Sequence, residues 1–160
     1  MKTGGILLKN EDDMVLLSLR EEYYANILSG QKRYEYRKIY RRGPTKAVIY
    51  ISKTQKSIVS IIEFDSPIIA KSEKISAIAE SEQAGSYDSM MEYLGENSVG
   101  YAIPVKKIYK LKESIPLHTL RQELNFVPPQ SYAVIKKDSE IMNFLNNIEV
   151  ESYQISSIRS

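Results

Sequence analysis

Apolar and polar positions alternate along this chain with a period that changes from one stretch to the next. Met14-Val15-Leu16-Leu17-Ser18-Leu19 is a continuous apolar run, short enough for a buried first strand. From Glu21 the period becomes helical, with Tyr23 and Ile27, and Tyr24 and Leu28, paired at i,i+4 along one apolar stripe. Glu21 and Glu22 fall in the first turn, where carboxylates favour the positive end of the helix dipole. Gly30 supplies the left-handed residue that commonly closes a helix. After it the period drops to two: Tyr34 and Tyr36 point one way, and Arg33, Glu35 and Arg37 the other. Lys32 sits at the joint. Glu35 and Arg37 are then ~6.6 Å apart along the strand, at ~3.3 Å per residue.

Residues 40–46 form a basic turn broken by Gly43-Pro44. Residues 47–52 predict an apolar strand, 53–56 a polar hairpin loop and 58–64 a further strand. Pro67 confines Ile68-Ile69-Ala70 to an edge or a bend. From Ser72 to Gly95 the pattern is helical and acidic; Ile75, Ile78 and Ala79 form a stripe, and a second short helix starts at Ser86 or Tyr87 and ends at Gly95. Residues 99–105 return to β character, and 106–112 extend that strand. Leu117, Leu120 and Leu124 share a helical face. Pro128 and Pro129 forbid helix, and the chain then enters a final strand or short turn. Asp138 or Ser139 caps a last helix running to Ile148. Residues 1–13 read as a loosely held, flexible leader, 14–148 as a single domain, and 149–160 as a weakly held C-terminal tail.

A length of 160 residues suits one domain with a sizeable core. The absence of cysteine excludes a disulfide scaffold, a thiolate metal site and a cysteine nucleophile, and suits a reducing cytoplasm. No apolar run approaches the ~20 residues that span a bilayer, so a soluble, cytoplasmic protein is expected. His118 is the only histidine, which leaves neither a metal-ligand set nor a Ser–His–Asp arrangement, and Gly4-Gly5 and Gly43 stand in no phosphate-loop context. Neither a metal nor a cofactor is expected. Net charge is only +2, but residues 31–56 hold nine basic side chains against Glu35 alone. That segment carries +8 and leaves −6 for the rest, the footprint expected for a polyanion partner.

Gly30, Lys32, Glu35 and Arg37 stand in the spacing Gly-x-Lys-x-x-Glu-x-Arg behind a helix. The strand Val48-Ile49-Tyr50-Ile51-Ser52 and the segment Pro128-Pro129-Gln130-Ser131-Tyr132 follow. This ordered trio resembles the ASCH family, a branch of the PUA-like β-barrels associated with RNA. The resemblance runs from about Val15 to Ile135, with one departure: Ser60 stands where the family often carries glycine. It implies an α+β fold, a PUA-like mixed β-barrel of about five to six strands with peripheral helices. The strands following Gly30 and Ala47 would be neighbours in it, with residues 72–95 as a helical insertion outside.

The partner implied is RNA, or a nucleoside or nucleotide, modified or not. Lys32, Glu35 and Arg37 would line its cavity. Tyr50 and Tyr132 are the aromatic candidates for stacking, beside Ser52, Lys53, Gln130 and Ser131. Arg33, Lys38, Arg41, Arg42, Lys46 and Lys56 would form a phosphate-binding basic rim. Two readings stay open. One is a binding module, in which Glu35 accepts a hydrogen bond from the ligand or orients Arg37. The other is a small hydrolase, since one ASCH branch deacetylates N4-acetylcytidine with a lysine, a threonine nucleophile and a glutamate, and other members are reported as ribonucleases. Lys32 would then be the base if burial lowered its pKa, and Glu35 the second catalytic candidate. Glu35, however, stands three residues after the lysine, where that branch has its threonine. Carboxylate attack on an amide would give a mixed anhydride, a poor intermediate.

Overall fold

The computed structural model describes residues 6–7 and 12–153. In order, these residues form β1 (Ile6–Leu7), β2 (Met14–Leu19), α1 (Glu21–Ser29) and β3 (Tyr34–Arg37). The hairpin of β4 (Thr45–Ile51) and β5 (Ser57–Phe64) follows, then β6 (Ile68–Lys71) and the helices α2 (Ser72–Glu82) and α3 (Ser86–Leu94). The last part holds β7 (Val99–Pro116), α4 (Leu117–Leu124), β8 (Tyr132–Ile135), α5 (Glu140–Leu145) and β9 (Glu149–Tyr153).

The sheet is organised on β7, which at 18 residues is too long to stay flat. Its first part pairs β3 and β6, with Ala102 opposite both Tyr36 and Ile68. Its second part pairs β5 and β9, with Ile108 opposite both Ile62 and Tyr153. Register shifts at Ile58/Ser60 and Glu63/Phe64 bend the β5–β7 ladder. β4 lies antiparallel to β5 and parallel to β2, and β8 closes the edge against β2. The parallel β2–β4 pair requires a crossover, which α1 and β3 supply. The outcome is an α+β fold with a curled, half-barrel mixed sheet and five helices.

The apolar runs are continuous because both faces of the central strands are covered. Met14, Leu16, Val48 and Tyr50 enter one core cluster with Leu120, Phe126 and Met142. Val15, Leu17, Ile49 and Ile51 enter another with Tyr24, Ile27 and Phe64. A third cluster, Tyr36, Ile75, Ala79, Leu94 and Ala102, seats the α2–α3 hairpin on β3 and β7. Among the described residues no helix is long and apolar enough to cross a membrane.

Four expectations change. The described residues contain nine strands rather than five or six. β3 and β4 are not neighbours, because β3 pairs β7 while β4 lies between β2 and β5. The last helix, capped by the Ser139 hydroxyl accepting from the Met142 N–H, ends at Leu145 instead of Ile148. The expected tail begins with a strand: Glu149–Tyr153 pairs both β7 and β1. Only Val150 of that strand is buried, so its backbone pairing leaves little hydrophobic signal. The rest of the leader and tail, residues 1–5, 8–11 and 154–160, lies outside the described residues.

Candidate functional site

The site begins where α1 ends. Gly30 adopts φ 84° and donates its N–H to the Ile27 carbonyl at 3.1 Å. The Lys32 N–H then donates to the Asn26 carbonyl at 3.0 Å, which ties the lysine to the helix terminus. From there its ammonium donates to the Tyr34 carbonyl and to Glu35 Oε1, both at 2.9 Å. The strand period places Glu35 and Arg37 on one face of β3, and Arg37 Nε donates to Glu35 Oε2 at 2.8 Å. Each carboxylate oxygen thus holds one cation. Glu35 is only 5 % exposed, and two charge-assisted hydrogen bonds offset the cost of burying it. Arg37 also donates to the Ser18 carbonyl at 3.0 Å and reaches the Ser131 carbonyl at 3.5 Å. The Ser18 hydroxyl donates to the Pro129 carbonyl at 2.8 Å, so the triad is anchored to the end of β2 and to the Pro-Pro segment.

A cavity of about 620 Å³ opens over this triad. One wall is α1, with Tyr23 and Asn26; the opposite wall is the α2–α3 hairpin, with Glu82, Gly85, Ser86 and Tyr93. Tyr23 and Tyr93 are 45 % and 44 % exposed. The Lys32 ammonium lies 5.1 Å from the Tyr36 ring centre and 5.8 Å from that of Tyr23, and Lys38 lies 5.2 Å from that of Tyr93. Glu82 fastens the hairpin to β3 by accepting from the Tyr36 hydroxyl and the Arg33 N–H. Burial, and then the bond to Glu82, raises the Tyr36 pKa above the usual phenol value. Within the hairpin, Glu80 accepts from the Gly85 N–H at 3.0 Å and the Tyr87 N–H at 2.8 Å, which lowers its pKa.

The residues singled out in the sequence are distributed unevenly around this cavity. Lys32, Glu35 and Arg37 line it together. Ser131 meets Arg37 through its carbonyl, and Ser52 donates its N–H to the carbonyl of Leu19, a lining residue, at 3.0 Å. Tyr132 packs on Tyr40 with ring centres 5.3 Å apart and is not part of the lining. Tyr50 is 2 % exposed and packs on Phe126 in the core beneath α4 and α5, because the β4 alternation turns it to the other face of the sheet. Gln130 and Lys53 are exposed, and neither lines the cavity.

The basic segment divides into three. Arg33 and Lys38 stay near the α2–α3 hairpin, where the Arg33 N–H meets Glu82 and Lys38 meets Tyr93. Arg41, Arg42 and Lys46 line a second depression. Lys53 and Lys56 turn in the β4–β5 loop with φ 72° and 48°. β4 separates the last two groups, about 20 Å from end to end at ~3.3 Å per residue. The second wall of the cavity, from Glu82 to Tyr93, left little trace in the sequence; of the two tyrosines there, Tyr87 and Tyr93, only Tyr93 is among the lining residues. Among the described residues no group of His, Asp and Glu is arranged to hold a metal ion.

No family model matches the sequence, and no curated protein is similar to it at a significant level. Solved structures do match. ASCH from Zymomonas mobilis superposes with a TM-score of 0.68 at 20 % identity, covering 82 % of this chain and 93 % of that one. A tyrosine-to-phenylalanine variant of it gives 0.68 at 19 % identity, covering 84 % and 98 %. The N-terminal domain of Staphylothermus marinus McrB gives 0.55 at 8 % identity, covering 91 % and 97 %. At such identities the likeness is one of fold, and the fold of this chain is the ASCH fold.

Proposed function

We propose that this chain, with the ASCH fold as its framework, is an RNA-binding module that takes one unstacked base or nucleoside into the cavity over Lys32, Glu35 and Arg37. The observation that carries this reading is the placement of Glu35, a buried carboxylate held between two cations at the floor of a cavity of about 620 Å³. That volume falls within the ~300–1,000 Å³ usual for small-ligand sites. A carboxylate oxygen has lone pairs beyond the one already engaged, and can accept from a base N–H. The third hydrogen of the Lys32 ammonium and the remaining Arg37 donors complement ring nitrogens and carbonyls. Tyr23 and Tyr93 offer faces for stacking at the mouth, each worth ~1–3 kcal/mol per base in comparable sites. The resemblance to a family associated with RNA supports the ligand class.

The test is titration of the protein with the four ribonucleoside monophosphates, followed by NMR and calorimetry. Saturable shifts are expected at Lys32, Glu35, Arg37 and Tyr23. Glu35→Gln and Tyr93→Ala should each weaken binding about tenfold, equivalent to ~1.4 kcal/mol, without changing the circular dichroism spectrum. Binding that bypasses these resonances, or that both variants retain in full, would refute the assignment.

A further inference from the structure

Three of the cations from residues 31–56 that the cavity does not use converge at a second place with two from elsewhere in the chain. Arg41 and Arg42 from the β3–β4 connection and Lys46 of β4 meet Lys106 of β7 and Lys137, which follows β8, around a depression of about 560 Å³. The carboxylates among its described lining residues are Asp12, Asp13 and Glu63. Asp13 is already engaged: Oδ1 accepts the Lys137 N–H at 2.8 Å, and Oδ2 lies 4.0 Å from the Lys136 ammonium. Asp12 has a partner as well. None of the five cations forms an ion pair among the described residues. They come from three separate parts of the sequence, so the cluster is made by the fold and is not the solvated face of one element.

We infer that this depression is a second anion site, which holds the phosphodiester backbone of a single-stranded RNA whose neighbouring nucleotide occupies the cavity. The inference rests on the cavity reading above and extends it from a base to a strand. Five cations around one concavity outnumber the three carboxylates among its described lining residues, and a polyanion relieves the repulsion that remains while releasing its own counterions. Arg41 and Arg42 add planar forks that match phosphate oxygens two at a time. The two sites are also near each other along the chain. Arg37 lines the cavity and Arg41 the depression, so their Cα atoms lie at most ~14 Å apart even if the chain between them is fully extended. A strand leaving the cavity therefore meets the depression within a few nucleotides.

Three double variants test this against an eight-nucleotide single-stranded RNA and a ribonucleoside monophosphate. They are Arg41→Ala/Arg42→Ala, Lys106→Ala/Lys137→Ala, and, as a control of equal charge at the β4–β5 loop, Lys53→Ala/Lys56→Ala. The first two should bind the RNA at least tenfold more weakly. They should also flatten its log K against log salt slope by ~0.7 for each phosphate that is no longer neutralised. Monophosphate binding should be unchanged in both, and the control should match wild type. If the monophosphate binds but the first two variants keep the wild-type RNA affinity and slope, the backbone site is wrong. An acidic peptide that binds the depression as tightly as RNA would overturn it in favour of a protein partner. Depression-dependent RNA binding without monophosphate binding would support the backbone site and sink the cavity reading alone. No binding of RNA at all would overturn both.

Discussion

The Tyr36 hydroxyl donates to Glu82 Oε1, 46 positions further along the chain, while Glu82 Oε2 accepts from the Arg33 N–H. One carboxylate at the end of α2 thereby grips Tyr36 of β3 and the residue that precedes the strand, on either side of Tyr34. The wall formed by α2 and α3 is held in register with Lys32, Glu35 and Arg37 by this link.

Tyr36→Phe should cost ~1.5–3 kcal/mol, the range for hydrogen bonds to charged groups, measured by urea unfolding at pH 7. The pH dependence follows from the raised pKa of Tyr36, which burial causes first and the bond to Glu82 second. A raised folded-state value means that the stabilisation is fully present below the ordinary phenol pKa of ~10 and is lost as pH rises through the folded value. Wild type should therefore lose α2–α3 protection in hydrogen exchange only above about pH 10. Tyr36→Phe should lack that component while keeping those of Tyr24, Tyr40 and Tyr50, whose values burial also raises. An alkaline transition identical in the two proteins would count against the link.

Removing Glu35 leaves Lys32 and Arg37 facing each other with side chains only 19 % and 12 % exposed. Glu35→Ala should destabilise by ~3–5 kcal/mol, as when one partner of a buried ion pair is deleted. Adding Lys32→Met should restore part of that loss, because one unpaired charge disappears with it. Strict additivity of the two changes in a double-mutant cycle would show that Lys32 and Glu35 are not coupled.

Gly100 lies where β7 passes under α3. A Cβ there would stand 2.8 Å from Leu94 Cδ1 and 3.0 Å from Leu94 Cδ2. Leu94 is itself buried in the cluster that seats the hairpin, so it has little room to yield. Gly100→Ala should cost ~1–3 kcal/mol through overpacking and loosen α3 before the sheet, read by hydrogen exchange. A neutral or stabilising effect would mean that Leu94 repacks freely.

The binding reading also predicts little or no hydrolysis of N4-acetylcytidine. Both Glu35 oxygens are engaged by cations, and the Lys32 ammonium donates to Glu35 and to the Tyr34 carbonyl. Among the described residues no threonine lines the cavity, and its aliphatic hydroxyls belong to Ser18, Ser86 and Ser89. Thr45 meets the Tyr40 hydroxyl at 2.7 Å instead. The assay follows release of cytidine from the nucleoside. Turnover of about 1 s⁻¹ or more, abolished by Lys32→Ala, would make this chain a hydrolase with a different nucleophile.

The triad could be read before any fold was known, because local geometry alone brings it together. A glycine C-cap and a period-two strand set Lys32, Glu35 and Arg37 within reach of one another through the i,i+3 and i,i+2 spacings. The same holds for most element boundaries, from the Gly30 cap to the Ser139 cap, which depend on neighbours a few residues away. Tyr50 shows where local information stops. A strand buried on both faces has no polar side to orient it, so its apolar run cannot say which tyrosine meets a cavity and which meets Phe126. Tyr23 and Tyr24 are adjacent on α1, yet only packing decides that Tyr24 is buried and Tyr23 lines the mouth. Sequence charge sums to +8 over residues 31–56, but the turn after β3 and the length of β4 divide it among three places. Glu82, Lys106 and Lys137 reach their sites across long separations, and β9 is held by backbone pairing with β7 and β1. Periodicity and capping act within a turn or two of chain, whereas the face a strand presents and the partners it meets follow from the order of strands in the sheet.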